Sequence, residues 1–263
     1  MPRLQLKGFG EPELRELVDG WIPRDSPENV RFFEELAKSD TLLPLTRTPL
    51  LATLIILVFR QTQRLPENEV RLYDTFIDLM SEGWNLAKRI LKTSKFGPQI
   101  KKTVLRTLAT NTHEKRKKQF AWADVRTAIE SHVKSKGSLV KELSEELVQD
   151  GIITRGGSIY EFAHLSFQEY LTAKEYNGDP KQTGIRAALR TYLRGDDWSR
   201  QVLRFYFGLS GNPKALSQWL WDQHARFERS EVGHDEESGS SYDRVEELDG
   251  VVSELYEATA LSE

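Results

Sequence analysis

"YEFAHLSFQEYLTAKEY", Tyr160 to Tyr176, sets a single histidine between a short β-like run and a helix, and the fold turns on how that junction is read. Ser166 followed three residues later by Glu169 has the form of a capping box, in which the serine oxygen accepts the N3 amide and the glutamate reaches back to the cap amide. This predicts a helix starting at Phe167, with Leu165 and Tyr170 placed to form the hydrophobic staple. His164 then stands just outside a helix N-terminus, where unpaired N–H groups and the positive end of the helix dipole suit an anion. The competing reading is a core histidine bonded to a neighbouring carbonyl.

Upstream of this junction, "IITR" and "IYEFA" alternate as strands do, and Gly156 and Gly157 between them suit a two-residue hairpin turn. Helices are expected before the hairpin over Gln99 to Thr112, Ala123 to His132 and Leu139 to Gln149. Three helices followed by a small hairpin make the winged-helix pattern, assigned here to residues 96–177. Residues 1–95 read as a separate helical domain. Ser26 and Pro27, then Thr48 and Pro49, give cap-then-proline signatures for two helix starts. The helix from Pro49 to Phe59 is apolar nearly all round, as a helix at the middle of a bundle is. Apolar spacing then predicts one helix from Glu69 to Leu91. After Tyr176, residues 178–227 return to helix, residues 228–249 are acidic and Ser- and Gly-rich and read as a disordered linker, and residues 250–263 read as a short terminal helix. The fold class is mainly α.

Composition narrows the chemistry. With no cysteine among 263 residues, disulfides, thiolate metal sites and cysteine nucleophiles are excluded, and the five histidines show no metal-ligand spacing. The most apolar run stops at Arg60, short of the roughly 20 residues a membrane span needs, and the start lacks a signal-peptide pattern. A cytoplasmic protein is expected. The net charge of −3 gives no global pull toward nucleic acid. Asp197, before Trp198, reads as a helix N-cap. Asp74, Asp78 and Glu82 read as a solvated stripe, and the basic knot from Glu114 to Lys118 as a solvated loop.

The stretch around His164 resembles the signature that ends the winged-helix domain of NACHT-type STAND NTPases, NLR-like switch ATPases of innate immunity and bacterial anti-phage defence. "TPLLATLIILVFRQTQRLPENEVRLYDTFIDLMSEGW", Thr48 to Trp84, is similar to the lid subdomain of that family, and "DWSRQVLRFYFGL" to the start of its second helical domain. The resemblance implies a nucleotide half-site for ADP or ATP. In it, His164 holds the β-phosphate and Pro49 packs against base and sugar, while Ser166 and Glu169 cap the motif. A first-turn proline explains Pro49 equally well. One departure matters: the chain has no GxxxxGK followed by Ser or Thr and no apolar run ending in paired acids. It is therefore expected not to be an enzyme by itself and to close over an NTPase core supplied upstream or by a separate chain. Homo-oligomerisation on activation is a further implication.

Two alternatives stand beside this. A winged-helix transcription regulator would place the helix Ser138 to Asp150 in the major groove, yet that helix carries Glu142, Glu145, Glu146 and Asp150 against Lys141 alone, which argues against nucleic acid as a partner. A purely structural helical scaffold would leave His164 without a ligand.

Overall fold

The structure, a computed structural model, describes residues 8–85, 90–91, 94–134, 137–230 and 238–260. The chain divides into two compact units, Met1–Leu79 and Met80–Glu263.

The first unit is helical. α1 (Glu11–Trp21) is followed by α2 (Pro27–Ala37), whose N-cap Ser26 accepts the Asn29 N–H at 3.2 Å. After a short 3₁₀ turn at Pro44–Arg47 comes α3 (Pro49–Thr62), with Leu51, Ala52 and every residue from Leu54 to Phe59 buried. Burying such side chains stabilises by about 1.5–3 kcal/mol each for the larger ones, so α3 is the axis on which this unit is assembled. α1 packs against it, and Phe32 of α2 meets Phe59 edge-on at 5.1 Å. Thr48 is the N-cap of α3, but its hydroxyl makes no capping bond.

α4 (Glu69–Ser81) buries Val70, Leu72, Tyr73, Phe76, Ile77 and Met80 on one face, and the division between the units falls within it. The helix expected to reach Leu91 stops ten residues early. Gly83 adopts φ +87°, a left-handed conformation that glycine takes without steric penalty, and its N–H closes back on the Met80 carbonyl. The apolar period had run across this stop. Beyond it β1 (Trp84–Asn85) pairs antiparallel with β2 (Ile90–Leu91); Ala87, part of the expected helix, lies outside the described residues.

The winged helix follows as α5 (Pro98–Glu114), β3 (Gln119–Ala121), α6 (Trp122–Glu130), α7 (Ser138–Gln149), β4 (Ile153–Gly156), β5 (Ile159–Phe162) and α8 (Leu165–Asn177). Its sheet has the order β3-β5-β4, all antiparallel, with Phe120 opposite Tyr160 and Ile153 opposite Phe162. These residues are buried, as are Val104, Leu105 and Leu108 of α5, Val125 and Ile129 of α6 and Leu143 and Leu147 of α7. The hairpin turn sits one residue later than expected: Gly156 pairs with Ile159, so Gly157 and Ser158 make the turn, and Gly157 supplies the positive φ, +64°.

Beyond α8 the second unit continues with α9 (Thr183–Leu193), a 3₁₀ turn at Asp197–Ser199, α10 (Arg200–Leu209), α11 (Pro213–Ser230) and α12 (Ser238–Ala260). Tyr170 of α8 packs edge-on against Phe205 of α10, 5.5 Å between ring centres. The disordered linker expected over residues 228–249 is corrected: residues 228–230 end α11 and residues 238–249 begin α12, leaving 231–237 outside the described residues. The terminal helix expected from residue 250 thus starts at Ser238. The stripe Ser241, Val245, Leu248 and Val252 is buried, with α12 in contact with α9, α10 and α11. Four inward positions at heptad-like spacing suffice for a helix, although the acids between them dominate the composition. Several of those acids bond inward: Glu247 accepts the Tyr192 hydroxyl at 2.9 Å, and Asp249 accepts the Trp221 indole N–H at 2.9 Å.

Candidate functional site

β5 ends at Phe162, and the chain passes through Ala163 to His164, the N-cap of α8, in extended conformation at φ −148° and ψ 146°. The His164 ring folds over the first turn: Nδ1 accepts the Ser166 N–H at 3.2 Å and lies 2.7 Å from the Ser166 hydroxyl. The capping box read from Ser166 and Glu169 is therefore corrected. Histidine itself fills the capping position, Ser166 is the second helical residue, and its side chain is buried beneath the ring. The register shift also removes the Leu165–Tyr170 staple, because Leu165 is already the first residue of the helix. An imidazole nitrogen is an acceptor when the other nitrogen carries the proton, and it outcompeted the serine oxygen for the first-turn amide.

This has a chemical consequence. With Nδ1 accepting a backbone N–H, the proton of the neutral ring resides on Nε2, which becomes a donor. Nε2 has no partner among the described residues, and His164 is exposed. Desolvation of the ring lowers its pKa, favouring this neutral donor. The ring is held from beneath by Phe167, edge-on at 6.5 Å. The arrangement offers one N–H donor at the N-terminus of a helix, a geometry suited to a phosphate oxygen.

Glu169 does not reach the cap. Burial pushes its carboxyl up to about 7, with the charge of Lys118 acting against the shift. Gln168, which the sequence reading passed over, is the residue that anchors the motif. It is 1% exposed, and its amide donates to Thr112 Oγ1 (2.7 Å) and to the Lys117 carbonyl (3.0 Å), tying α8 to the end of α5 and to the turn before β3. Its only signal was a polar residue where the helix is buried all round.

That turn is the basic knot expected to be a solvated loop, and Glu114, Lys115, Arg116 and Lys118 are indeed exposed, but several of its side chains are paired. Glu114 accepts the Tyr176 hydroxyl, Arg116 pairs with Asp196, Lys117 with Asp124 (3.0 Å), and Lys118 lies over the Trp198 ring at 5.9 Å. Trp198 also stacks on buried His113 at 5.1 Å and donates its indole N–H to the His113 carbonyl. The cap of that 3₁₀ turn is Asp196, which accepts the Trp198 N–H, while Asp197, the expected cap, pairs with Arg244. Burial first, and then Arg116, push His113 down to about 4.

On α7, Glu146 and Asp150 bond the fully buried Lys101 of α5 at 3.1 and 2.8 Å, and Glu142 pairs with Lys95. Much of the acidity that argued against a groove-reading helix is thus directed inward. Asp74 pairs with Arg71 on α4 at 3.9 Å. No group of three metal-ligating side chains occurs among the described residues.

Pro49 is exposed at the first position of α3. It belongs to the first compact unit and His164 to the second, so the two expected halves of the site are each seen by themselves.

A winged helix whose exit helix is capped by an outward-facing histidine defines the class of module. Residues 69–176 match the family described as winged helix-turn-helix domain C-terminal to NACHT. No curated protein matches the chain. Over those residues the chain is similar to a NACHT-associated winged-helix module, a domain that in its family lies downstream of an NTPase core. No helix among the described residues is long and apolar enough to cross a membrane.

Proposed function

We propose that the chain is the regulatory part of a NACHT-type switch, closing over ADP or ATP bound to an NTPase core and relaying the state of the nucleotide to cytoplasmic signalling, with anti-phage defence as the setting. Residues 1–95 act as the lid, 96–177 as the winged helix and 178–227 as the start of a second helical domain. The observation that supports this best is the spare Nε2–H of His164 at the start of α8. When bound, ADP supplies a phosphate anion, and His164 donates to it while Pro49 faces base and sugar. The donor residues fit such a group; the chain's lack of a phosphate-cradle motif means that most of the pocket comes from the core.

The test is a reconstitution with the NTPase core. ADP should dissociate from the core more slowly when the chain is bound, and the chain alone should show no ATP turnover. Equal dissociation rates with and without the chain reject the proposal.

A further inference from the structure

Ser94, Lys95, Phe96 and Gly97 lead into α5, and none of them is fully buried. Such a segment gains little from apolar burial, so what fixes it is polar. The Lys95 N–H donates to Glu146 Oε1 of α7 at 2.8 Å. The Ser94 hydroxyl lies 2.7 Å from both Glu146 Oε2 and the Phe96 carbonyl, and its single proton is better placed on the charged acceptor. One turn earlier on α7, Glu142 pairs with the Lys95 ammonium. Glu146 Oε2 also meets the ammonium of Lys101 at 3.1 Å. Burial opposes ionisation of the Glu146 carboxyl, but the bonds from Ser94, Lys95 and Lys101 outweigh it and hold its pKa below the usual range.

We infer that Glu146 is a latch, and that its release frees residues 94–97 from α7 while the winged helix stays folded. Lys101, 1% exposed, keeps Asp150 at 2.8 Å, so the buried cation is still paired when Glu146 lets go. Glu146 is 18% exposed, and Glu142 and Lys95 more so, which allows water to take over the bonds that open. Segments held by a few polar bonds, with little buried apolar contact, open at the low end of the stability range within a fold. Four freed residues add about 13 Å of extended chain. That slack lies between α4 and α5, and the division between the two compact units falls within α4. Release of this kind needs no nucleotide.

The test is native-state hydrogen exchange on the whole chain, read by NMR at single amides. In the parent, the Lys95 N–H should exchange about tenfold more slowly than in an unstructured peptide, and the Leu147 N–H of α7 about a hundredfold more slowly again. Glu146→Ala should bring Lys95 to the peptide rate and leave Leu147 slowed by about a hundredfold or more. Ser94→Ala, which leaves both partners of Lys101 in place, should speed Lys95 about threefold, and it decides the question if Glu146→Ala fails to fold. Glu145→Ala, which removes an exposed acid paired with Lys141 at 3.9 Å, should exchange as the parent does. Two results would overturn the inference. One is a parental Lys95 rate in Glu146→Ala, or in Ser94→Ala where only that variant folds. The other is equal slowing of Lys95 and Leu147 in the parent, since the latch would then open only when the winged helix unfolds.

Discussion

His113 lies where α5 ends and His164 where α8 begins, and both are depressed in pKa by desolvation. His113 is 2% exposed, stacked on Trp198, with Nε2 at 3.3 Å from the Ser199 hydroxyl and Nδ1 buried without a partner. His164 is exposed, with Nδ1 committed to Ser166 and Nε2 left open. What separates a structural histidine from an available one is therefore not the shift in pKa. It is which nitrogen the fold engages and whether the other can meet a ligand. α5 buries the polar groups Lys101, Thr112 and His113, while the cap of α8 holds His164 at the exposed rim.

The strongest way to sharpen this contrast is to remove an inward group. Lys101→Met leaves Asp150 and Glu146 facing each other without a cation, and loss of one partner of a buried pair costs about 3–5 kcal/mol. Urea denaturation should show that loss, and a cost under 1 kcal/mol would mean the cluster is well hydrated.

Proton linkage gives the next effect. His113 is held neutral, with a folded pKa of about 4 against 6.5 unfolded. Its contribution is complete above pH 6.5 and is lost as the pH falls toward 4, by about 3 kcal/mol in all. Glu169 has the opposite sign. With its folded pKa raised to about 7 from 4.5, it favours the fold fully below pH 4.5 and loses about 3 kcal/mol as the pH rises to 7. Between pH 4.5 and 6.5 the two slopes cancel. The parent should show nearly flat stability in that window, Glu169→Gln should become more stable as pH rises, and His113→Gln less stable. Identical slopes in all three proteins would break the comparison.

A smaller effect is expected at His164 when the chain works with its NTPase core. A hydrogen bond to a charged group contributes about 1.5–3 kcal/mol, so His164→Ala should speed ADP loss roughly ten- to a hundredfold, while His113→Gln should leave it unchanged near neutral pH. Retention of ADP by His164→Ala at the parental rate would make the two histidines equivalent. The smallest effect is Ser166→Ala. It removes the hydroxyl that Nδ1 meets but keeps the amide bond, and should lower stability by about 1 kcal/mol with ADP retention nearly intact.

The parts of this architecture legible in the sequence were those written in local patterns. Ser26 with Pro27, the all-apolar α3 and the glycine-marked hairpin are each specified by a few neighbouring residues. The position of His164 outside a helix was legible too; its role as the cap was not, because Ser166 and Glu169 satisfy a simpler rule that the ring geometry overrides. β3 was hidden because three residues between a basic turn and Trp122 are too few to show a period, and the strand is defined by its pairing with β5, Gln119 to Ala121 opposite Glu161 to Ile159. Trp198 seated on His113 joins residues 85 apart in sequence, a contact no local period encodes.

The closing of α12 over α9 sets an order of events during synthesis. Tyr192 and its partner Glu247 lie 55 residues apart, so at roughly 5–20 residues per second the ribosome needs about 3–11 seconds to deliver the second after the first. Throughout that interval the side of α9 and α10 that receives Val245, Leu248 and Val252 is exposed on the nascent chain, a window in which a holdase chaperone competes with the chain's own last helix.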